Sequence, residues 1–314
     1  IVAIYTLDFY FTKMKQKSIR FVKNYMIKRG FVLFFLCTSL LSQDKLLLKQ
    51  ADTLTSSTIG NETITRLNGN IIFQKTDTTL KGNFATQSDK NSLINLYGDV
   101  SIQQPEQIIY CDSLSFNNDT EFFEMFGNIK IKNGSRLISA DKATLDQISN
   151  QMTLIDNCEI NEDYRNRVYG DKIILDFKNK TLQSFKVLSN GIIFSKNSGY
   201  EKIDDLEKSI ENEDVLKAET IFASLENEEI QNIELIGMAS TLIHLYNDSL
   251  YDGINEVSGD KIIMNIQNES AKKLIAEGGT IGRYIPNKSN ENIQEEIDYV
   301  ADSCLLYTSD AADE

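Results

Sequence analysis

Apolar residues occupy every second position in short stretches of the chain, and these stretches recur. Ile94, Leu96, Val100 and Ile102 share one parity, and the equivalent positions from 123 and from 152 onward are again apolar. The intervening positions are mostly Asn, Asp, Lys, Ser, Thr and Glu. Alternation with a period of two predicts β-strands that bury one face and expose the other.

Two short sequence markers repeat with the same spacing. The first marker is a glycine followed by Asn or Asp and then a β-branched residue. It begins at Gly69, Gly98 and Gly127, with a spacing of 29 residues (69 to 98 to 127). Later in the chain a glycine marker returns at Gly237 and Gly279. The second runs in step and ends in Asn or Asp: Gly82/Asn83, Cys111/Asp112, Ala140/Asp141 and Gly170/Asp171. Two independent markers with one period predict tandem repeats whose equivalent apolar residues stack into a continuous core.

The later repeats are longer. The second marker moves to Glu219, Asp260 and Asp302, in steps of 41 (219 to 260) and 42 (260 to 302). The extra residues fall at 246–257 and 286–299, which predicts lengthened hairpin loops, since long surface loops cost little entropy.

An acidic stretch, 201–217, separates the early repeats from the later ones. Ile203, Leu206 and Ile210 stand at helical spacing within it, which favours a short amphipathic helix. A solvated insert without regular structure explains the composition equally well.

Both ends of the sequence are interpreted as lying outside the fold. Met26, a basic pair and the apolar run 30–42 have the pattern of a signal peptide, predicted here at 26–42, with a retained membrane anchor as the alternative. Residues 304–314 resemble translated sequencing adapter, so we expect the natural protein to continue beyond residue 303. The predicted organisation is an upstream or non-native extension at 1–25, the signal peptide, early β-repeats at 43–200, the acidic insert at 201–217, and longer repeats at 218–303.

Composition argues against several classes of function. The net charge of −14 disfavours nucleic acid as a partner, because phosphate binding needs a basic face. His244 is the only histidine, so this sequence offers no histidine-based triad and no multi-histidine metal site. The marker aspartates recur once per repeat, which indicates a turn or strand-entry role through local backbone hydrogen bonds. We therefore expect a protein that is not an enzyme and that needs no cofactor or metal.

Four cysteines occur in the chain. Cys37 lies in the predicted signal peptide and Cys304 in the suspected adapter segment. Cys111 and Cys158 occupy different positions within the repeat. This favours two buried free thiols over a disulfide, although export from the cytosol would permit disulfides.

The repeat resembles the LptA/OstA family of periplasmic lipopolysaccharide-transport proteins, which includes the N-terminal domain of the outer-membrane translocon. The matching segments are Gly-Asp-Val-Ser-Ile from Gly98, Ala-Asp-Lys-Ala-Thr-Leu from Ala140 and Gly-Asp-Lys-Ile-Ile-Leu from Gly170, and the resemblance covers about 51–285. It implies an all-β protein: an elongated, open antiparallel β-jelly roll, often described as a taco, built here from repeats of 29 to 42 residues. It also implies a location in the periplasm, associated with the outer membrane, and end-to-end joining of such domains through their edge strands.

The resemblance implies that the interior of the jelly roll forms an apolar groove, which holds the acyl chains of lipid A. It also implies that the protein carries lipopolysaccharide towards the outer membrane. A soluble bridge component and the N-terminal domain of the translocon are both compatible with the sequence. The alternative is a parallel β-helix, as a surface protein or a polysaccharide-interacting repeat protein. The candidate groove residues are the ladder positions Ile71, Phe73, Ile94, Leu96, Val100, Ile102, Leu114, Phe116, Phe123, Met125, Ile129, Ile131, Leu145, Met152, Leu154, Ile173 and Leu175.

Overall fold

The computed structural model of the protein describes residues 46–105, 107–178, 181–203, 206–226, 229–247, 249–267, 270–287 and 295–307. The described residues contain sixteen β-strands and no helix. The strands are β1 (Leu47–Gln50), β2 (Thr53–Ile59), β3 (Glu62–Lys75), β4 (Thr78–Ser88), β5 (Leu93–Gln104), β6 (Gln107–Asn117), β7 (Phe122–Asn133), β8 (Arg136–Asp146), β9 (Gln151–Glu162), β10 (Asn166–Lys178), β11 (Thr181–Ile203), β12 (Leu206–Glu226), β13 (Glu229–Asn247), β14 (Leu250–Gln267), β15 (Ser270–Pro286) and β16 (Ile297–Tyr307).

The strands follow one another in the sheet in the order of the chain. From β3 to β16 each strand is hydrogen-bonded to the next one, while β1 and β2 both pair with β3. Successive strands are antiparallel, and a single parallel pair joins Tyr200 of β11 to Leu250 of β14. The prediction of an all-β antiparallel protein is confirmed, and the sheet is consistent with a β-jelly roll. The parallel β-helix alternative is wrong, because neighbouring strands of this sheet pair antiparallel, whereas the strands of a parallel β-helix pair in parallel.

Burial follows the alternation that the sequence predicted. In β5 the buried residues are Ile94, Leu96, Val100 and Ile102, and the positions between them are half-buried or exposed. The inner face of this strand is therefore apolar and its outer face is mostly polar, as the hydrophobic effect favours for a half-buried strand.

The glycine markers are sharp bends in the strands. At each one, two consecutive residues have positive φ, as in Gly98 (φ 75°) and Asp99 (φ 51°), and the strand register shifts there by a β-bulge. Glycine adopts this left-handed conformation without steric cost, and Asn and Asp tolerate it better than other residues. We call these pairs corners; they are Gly69/Asn70, Gly98/Asp99, Gly127/Asn128, Asp156/Asn157, Ser189/Asn190, Gly237/Met238 and Gly278/Gly279. The last corner begins one residue before the predicted Gly279, because both adjacent glycines are left-handed.

The second marker lies opposite a corner of the next strand. Asn128 donates a side-chain hydrogen bond to Asp112 (2.9 Å), and Asn157 donates one to Asp141 (2.6 Å). In an earlier repeat the amide and carboxylate are exchanged, since Asn83 donates to Asp99 (3.1 Å). The expectation of local backbone hydrogen bonds for these aspartates is wrong at these places. The bulge sets two corner residues against a single marker residue, so the marker side chain meets the corner of another strand.

The chain divides into two compact units, with the boundary between Ser189 and Asn190 inside β11. We call them the N-terminal unit and the C-terminal unit. Each corner divides its strand into two arms. In the N-terminal unit, the first arms run to the turns at 118–121 and 147–150, and the second arms run to the turns at 134–135 and 163–165.

Strand β15 ends at Pro286 and β16 begins at Ile297, so the longer connection predicted at 286–299 agrees with the structure. The extra residues at 246–257 are mostly strand, which corrects the prediction of a lengthened loop there. Residues 246 and 247 still belong to β13, and β14 begins at Leu250, so the hairpin between them is tight. The described part of the acidic stretch is strand as well, because β11 ends at Ile203 and β12 begins at Leu206. Both interpretations of this stretch, a helix and an irregular insert, are therefore wrong. The alternation simply continues there, with Ile210, Asn212 and Asp214 in phase with the buried Leu216.

The predicted signal peptide, the extension before it and residues 308–314 lie outside the described residues. Asp302 lies opposite the last corner, as a further second marker should. Strand β16 continues past it through Cys304 to Tyr307, which is the beginning of the suspected adapter segment.

Candidate lipid-binding interior

The inner face of the N-terminal unit is organised in rows that run across strands β5 to β10. Strand pairing in register places one inner-facing residue of each strand in each row. In the first arms, the row nearest the turns is Ile94, Phe116, Phe123, Leu145, Met152 and Leu175, and the next row is Leu96, Leu114, Met125, Ala143, Leu154 and Ile173. Beyond the corners, the second arms carry a row of Ile102, Ile109, Ile131, Ile138, Ile160 and Val168.

The structure places all the candidate groove residues on this one inner face. With the exception of Phe123, which is half-buried, every one of them is buried: Ile71, Phe73, Ile94, Leu96, Val100, Ile102, Leu114, Phe116, Met125, Ile129, Ile131, Leu145, Met152, Leu154, Ile173 and Leu175. They are thus brought together as one apolar interior whose side chains are largely covered by protein.

Several residues of the same interior were absent from the predicted set. Ile109, Ile138 and Val168 are buried in the second arms, and Leu67, Leu80 and Ala85 are buried in β3 and β4. Those in β6, β8 and β10 precede the second marker of their strand, whereas the predicted residues of the same strands follow it. Extending the alternation backwards through the marker would have identified them.

The edge of the interior at the first-arm turns is apolar. Phe116 and Phe123 stack with their ring centroids 4.3 Å apart and their planes inclined by 27°. Phe123 is the member of its row that remains partly exposed. We call this row of first-arm residues, from Ile94 to Leu175, the apolar rim.

The opposite edge, at the second-arm turns, is polar. The inner-facing residues there are Gln104, Gln107, Arg136 and Glu162, which we call the polar rim. Arg136 and Glu162 form a buried ion pair, with Nη2 of the guanidinium 2.5 Å from Oε1 of the carboxylate. Their opposite charges compensate each other, as burial of two ionised groups requires. Sequence reasoning had not anticipated charged groups on the inner face.

Both cysteines of the interior are buried and free, which confirms the expectation of two separate thiols. Cys111 lies on β6 and Cys158 on β9. Burial raises the pKa of each thiol to about 12, because desolvation disfavours the thiolate. These side chains therefore act as small apolar groups of the interior.

The inner face of the C-terminal unit is different, because the lengthened second arms carry a polar network. Oδ1 of Asp214 accepts hydrogen bonds from the backbone N–H of His244 (2.8 Å) and lies 2.9 Å from Nδ1 of its ring. The other carboxylate oxygen of Asp214 accepts from the amide of Asn197. Asn212 donates to the hydroxyl of Tyr246 (2.9 Å). Buried polar groups are stable when they are paired in this way.

Two other kinds of feature are absent from the part of the chain that the structure describes. There, no cluster of His, Cys, Asp or Glu has the arrangement to hold a metal ion. The same residues include no helix with the length and apolarity to cross a membrane.

Residues 43–165 match a protein-family model that is described as OstA-like protein. A solved structure with similarity to the chain is that of LptH, the LptA-homologous periplasmic component of the lipopolysaccharide transport device from Pseudomonas aeruginosa. It is 15% identical, the match covers 33% of this chain and 78% of that one, and the TM-score is 0.29. Comparison with curated protein sequences gave no match.

The family match begins before β1 and ends at the turn after β9, so it covers nearly all of the rows described above. The resemblance predicted from the repeats is therefore confirmed over residues 43–165.

Proposed function

We propose that the protein is a periplasmic carrier of lipopolysaccharide, which holds the acyl chains of lipid A in the apolar interior of the N-terminal unit. The observation that carries this proposal is that the first arms and the second arms of β5 to β10 both present apolar rows on the inner face. Most of these strands lie in the segment that matches the OstA-like model. The carrier binds and releases its lipid and performs no chemical step on it.

The hydrophobic effect supplies the affinity in this proposal. Each methylene group that leaves water for the interior stabilises the complex by about 0.8 kcal/mol. Because the row residues are already covered by protein, an acyl chain enters only when these side chains move apart. The unbranched side chains of Met125 and Met152 adapt to chains of different shape, since thioether side chains repack easily. The half-buried Phe123 marks the apolar rim as the place of entry.

We propose further that other OstA-like domains are the protein partners. Among the described strands, β1 and β2 pair only with β3, at one end of the strand order. An unpaired edge recruits another strand through backbone hydrogen bonds. Joining of two unlike edges gives an open chain of domains instead of a closed dimer. Such a chain would lead lipopolysaccharide across the periplasm towards the outer membrane.

The proposal is tested by lipid binding to delipidated protein. Lipopolysaccharide should displace a fluorescent fatty acid from the protein, as read by the fluorescence of the probe. Phe123→Asp should weaken binding by about tenfold or more, because it places a charge at the apolar rim. Phe126→Asp is the matched control, since Phe126 lies three residues away on the outer face and is 38% exposed. Failure of delipidated protein to bind any acyl compound would overturn the proposal.

A further inference from the structure

The polar rim contains buried amide groups that have no hydrogen-bond partner. The side chain of Gln107 is almost completely buried, and within the described structure neither its Nε2 nor its Oε1 has a partner. Oε1 of Gln104 is buried and unpartnered as well. Gln104 and Gln107 face each other as a cross-strand pair of β5 and β6. Buried polar groups are almost always paired, so three orphan atoms on one residue pair indicate a missing partner.

The surroundings of this pair define the chemistry of that partner. On one side, the next inner pair is Ile102 and Ile109, where the apolar interior begins. The Nε2 group of Gln104 is already used, since it donates to Thr78 (3.2 Å). The charged members of the polar rim, Arg136 and Glu162, compensate each other and leave no net charge there. The available groups are thus neutral. They are the two N–H donors on Nε2 of Gln107 and the acceptor oxygens Oε1 of Gln107 and of Gln104.

We propose that Gln107 and Gln104 bind a neutral amide or hydroxyl group at the head of an acyl chain that lies in the apolar interior. This inference rests on the proposed lipid-carrying function and adds to it the orientation of the ligand. An amide or a hydroxyl both donates and accepts hydrogen bonds, as the carboxamide of Gln107 does. An ionised carboxylate or phosphate would be buried here beside an arginine, Arg136, whose charge Glu162 already compensates, which is strongly unfavourable.

The test compares C12 compounds that differ only in the head group: dodecanamide, dodecan-1-ol, dodecyl methyl ether and dodecanoate. Each is titrated against a fluorescent acyl probe on the whole chain. The amide and the alcohol should bind about tenfold more tightly than the ether, which accepts hydrogen bonds but donates none. The side-chain NH2 signal of Gln107 should shift in a 15N NMR spectrum when the amide binds.

Gln107→Leu should abolish the preference for the amide while the affinity for the ether stays unchanged. Gln104→Leu should reduce the preference by a smaller factor, and it serves as a second variant. Gln103→Leu is the matched control, since Gln103 is an exposed glutamine on the outer face of the same strand. An equal affinity of wild-type protein for all four compounds, or a preference that survives Gln107→Leu, would overturn the inference and leave lipid carriage intact. If none of the compounds displaced the probe, the proposed function itself would fail.

Discussion

The second arms of the two units show what one strand pattern does with different side chains. In the N-terminal unit they are short, and their inner face is a row of isoleucines that ends in the polar rim. In the C-terminal unit they are longer, as in β12, whose second arm runs from Leu206 to the marker residue Glu219, and their inner face carries Asn212 and Asp214. The alternation of inward and outward positions is the same in both. What differs is the interaction that stabilises the inner face.

The two inner faces are therefore stabilised by different interactions. The apolar rows depend on the removal of nonpolar surface from water, which has no directional requirement. The polar arms depend on hydrogen bonds, so the removal of one partner leaves the other unsatisfied. The same comparison explains why lipid carriage is proposed for the N-terminal unit, where both arms present an apolar face.

The largest effect is expected in the apolar rows. Leu154 is fully buried, and Leu154→Ala should lower the free energy of unfolding by about 3 kcal/mol, since it removes buried methyl groups and leaves a cavity. Leu137→Ala is the control, because Leu137 is 45% exposed on the outer face, and its effect should stay below about 0.5 kcal/mol. Urea denaturation followed by circular dichroism measures both. Equal losses for the two variants would contradict the assignment of faces.

A somewhat smaller effect is expected in the polar arms. Asp214→Ala removes the acceptor for the backbone N–H and ring of His244 and for the amide of Asn197, and should cost about 2 kcal/mol. Glu207→Ala, at an exposed position of the same strand, should change stability little. If Asp214→Ala unfolded at the wild-type urea concentration, the network would not stabilise these arms.

The corners, which both units share, should respond to an added methyl group. Gly127 has φ 74°, and a Cβ atom there would lie 2.1 Å from Oδ2 of Asp112. Gly127→Ala should therefore lower the free energy of unfolding by about 1–2 kcal/mol. The control Gly134→Ala has a similar backbone (φ 57°) with no atom within 4 Å of the new Cβ, and should cost about 1 kcal/mol or less. A larger loss at Gly134 than at Gly127 would refute the close approach at the corner.

The smallest effect concerns pH. Burial raises the pKa of Cys111 and Cys158 to about 12 in the folded state, above the ordinary value of 9.0. The unfolded chain therefore releases these protons first, so their contribution to stability is constant below about pH 9 and falls as the pH rises towards 12. Cys111→Ala/Cys158→Ala protein should show a shallower loss of stability over that interval. Native protein should also react slowly with thiol reagents at pH 8, and rapid modification without unfolding would contradict the burial.

Much of the fold could be predicted from the sequence because its signals are local. The markers at Gly98 and Gly127 fixed the period, and the alternation around Ile94 and Leu96 fixed the inner face. The hydrogen bonds of Asp112 could not be predicted, because its partner belongs to a corner on the next strand. The polar interior around Asp214 was missed because Ile203, Leu206 and Ile210 stand at helical spacing, although Ile203 belongs to β11 and the other two belong to β12.

For the candidate site, the sequence predicted which residues lie on the inner face, but it did not predict the groups at the edges of that face. Sequence periodicity identifies which residues point inward, and the structure places them there. It does not reveal the Arg136–Glu162 pair or the unpartnered amides of Gln107, since these depend on which strand ends meet at one edge of the sheet. The prediction that acyl chains contact the row residues stays a prediction.

The most direct test of the central proposal uses the four methionines that the structure describes. Met125 and Met152 lie in the apolar rows, Met264 is buried in the C-terminal unit, and Met238 is 78% exposed at a corner. With 13C-labelled methionine methyl groups and a spin-labelled fatty acid, the signals of Met125 and Met152 should broaden, while those of Met264 and Met238 should keep their intensity. Lipopolysaccharide should reverse the broadening by displacing the label. Uniform broadening of all four signals, or none at Met125 and Met152, would contradict lipid binding in the N-terminal interior.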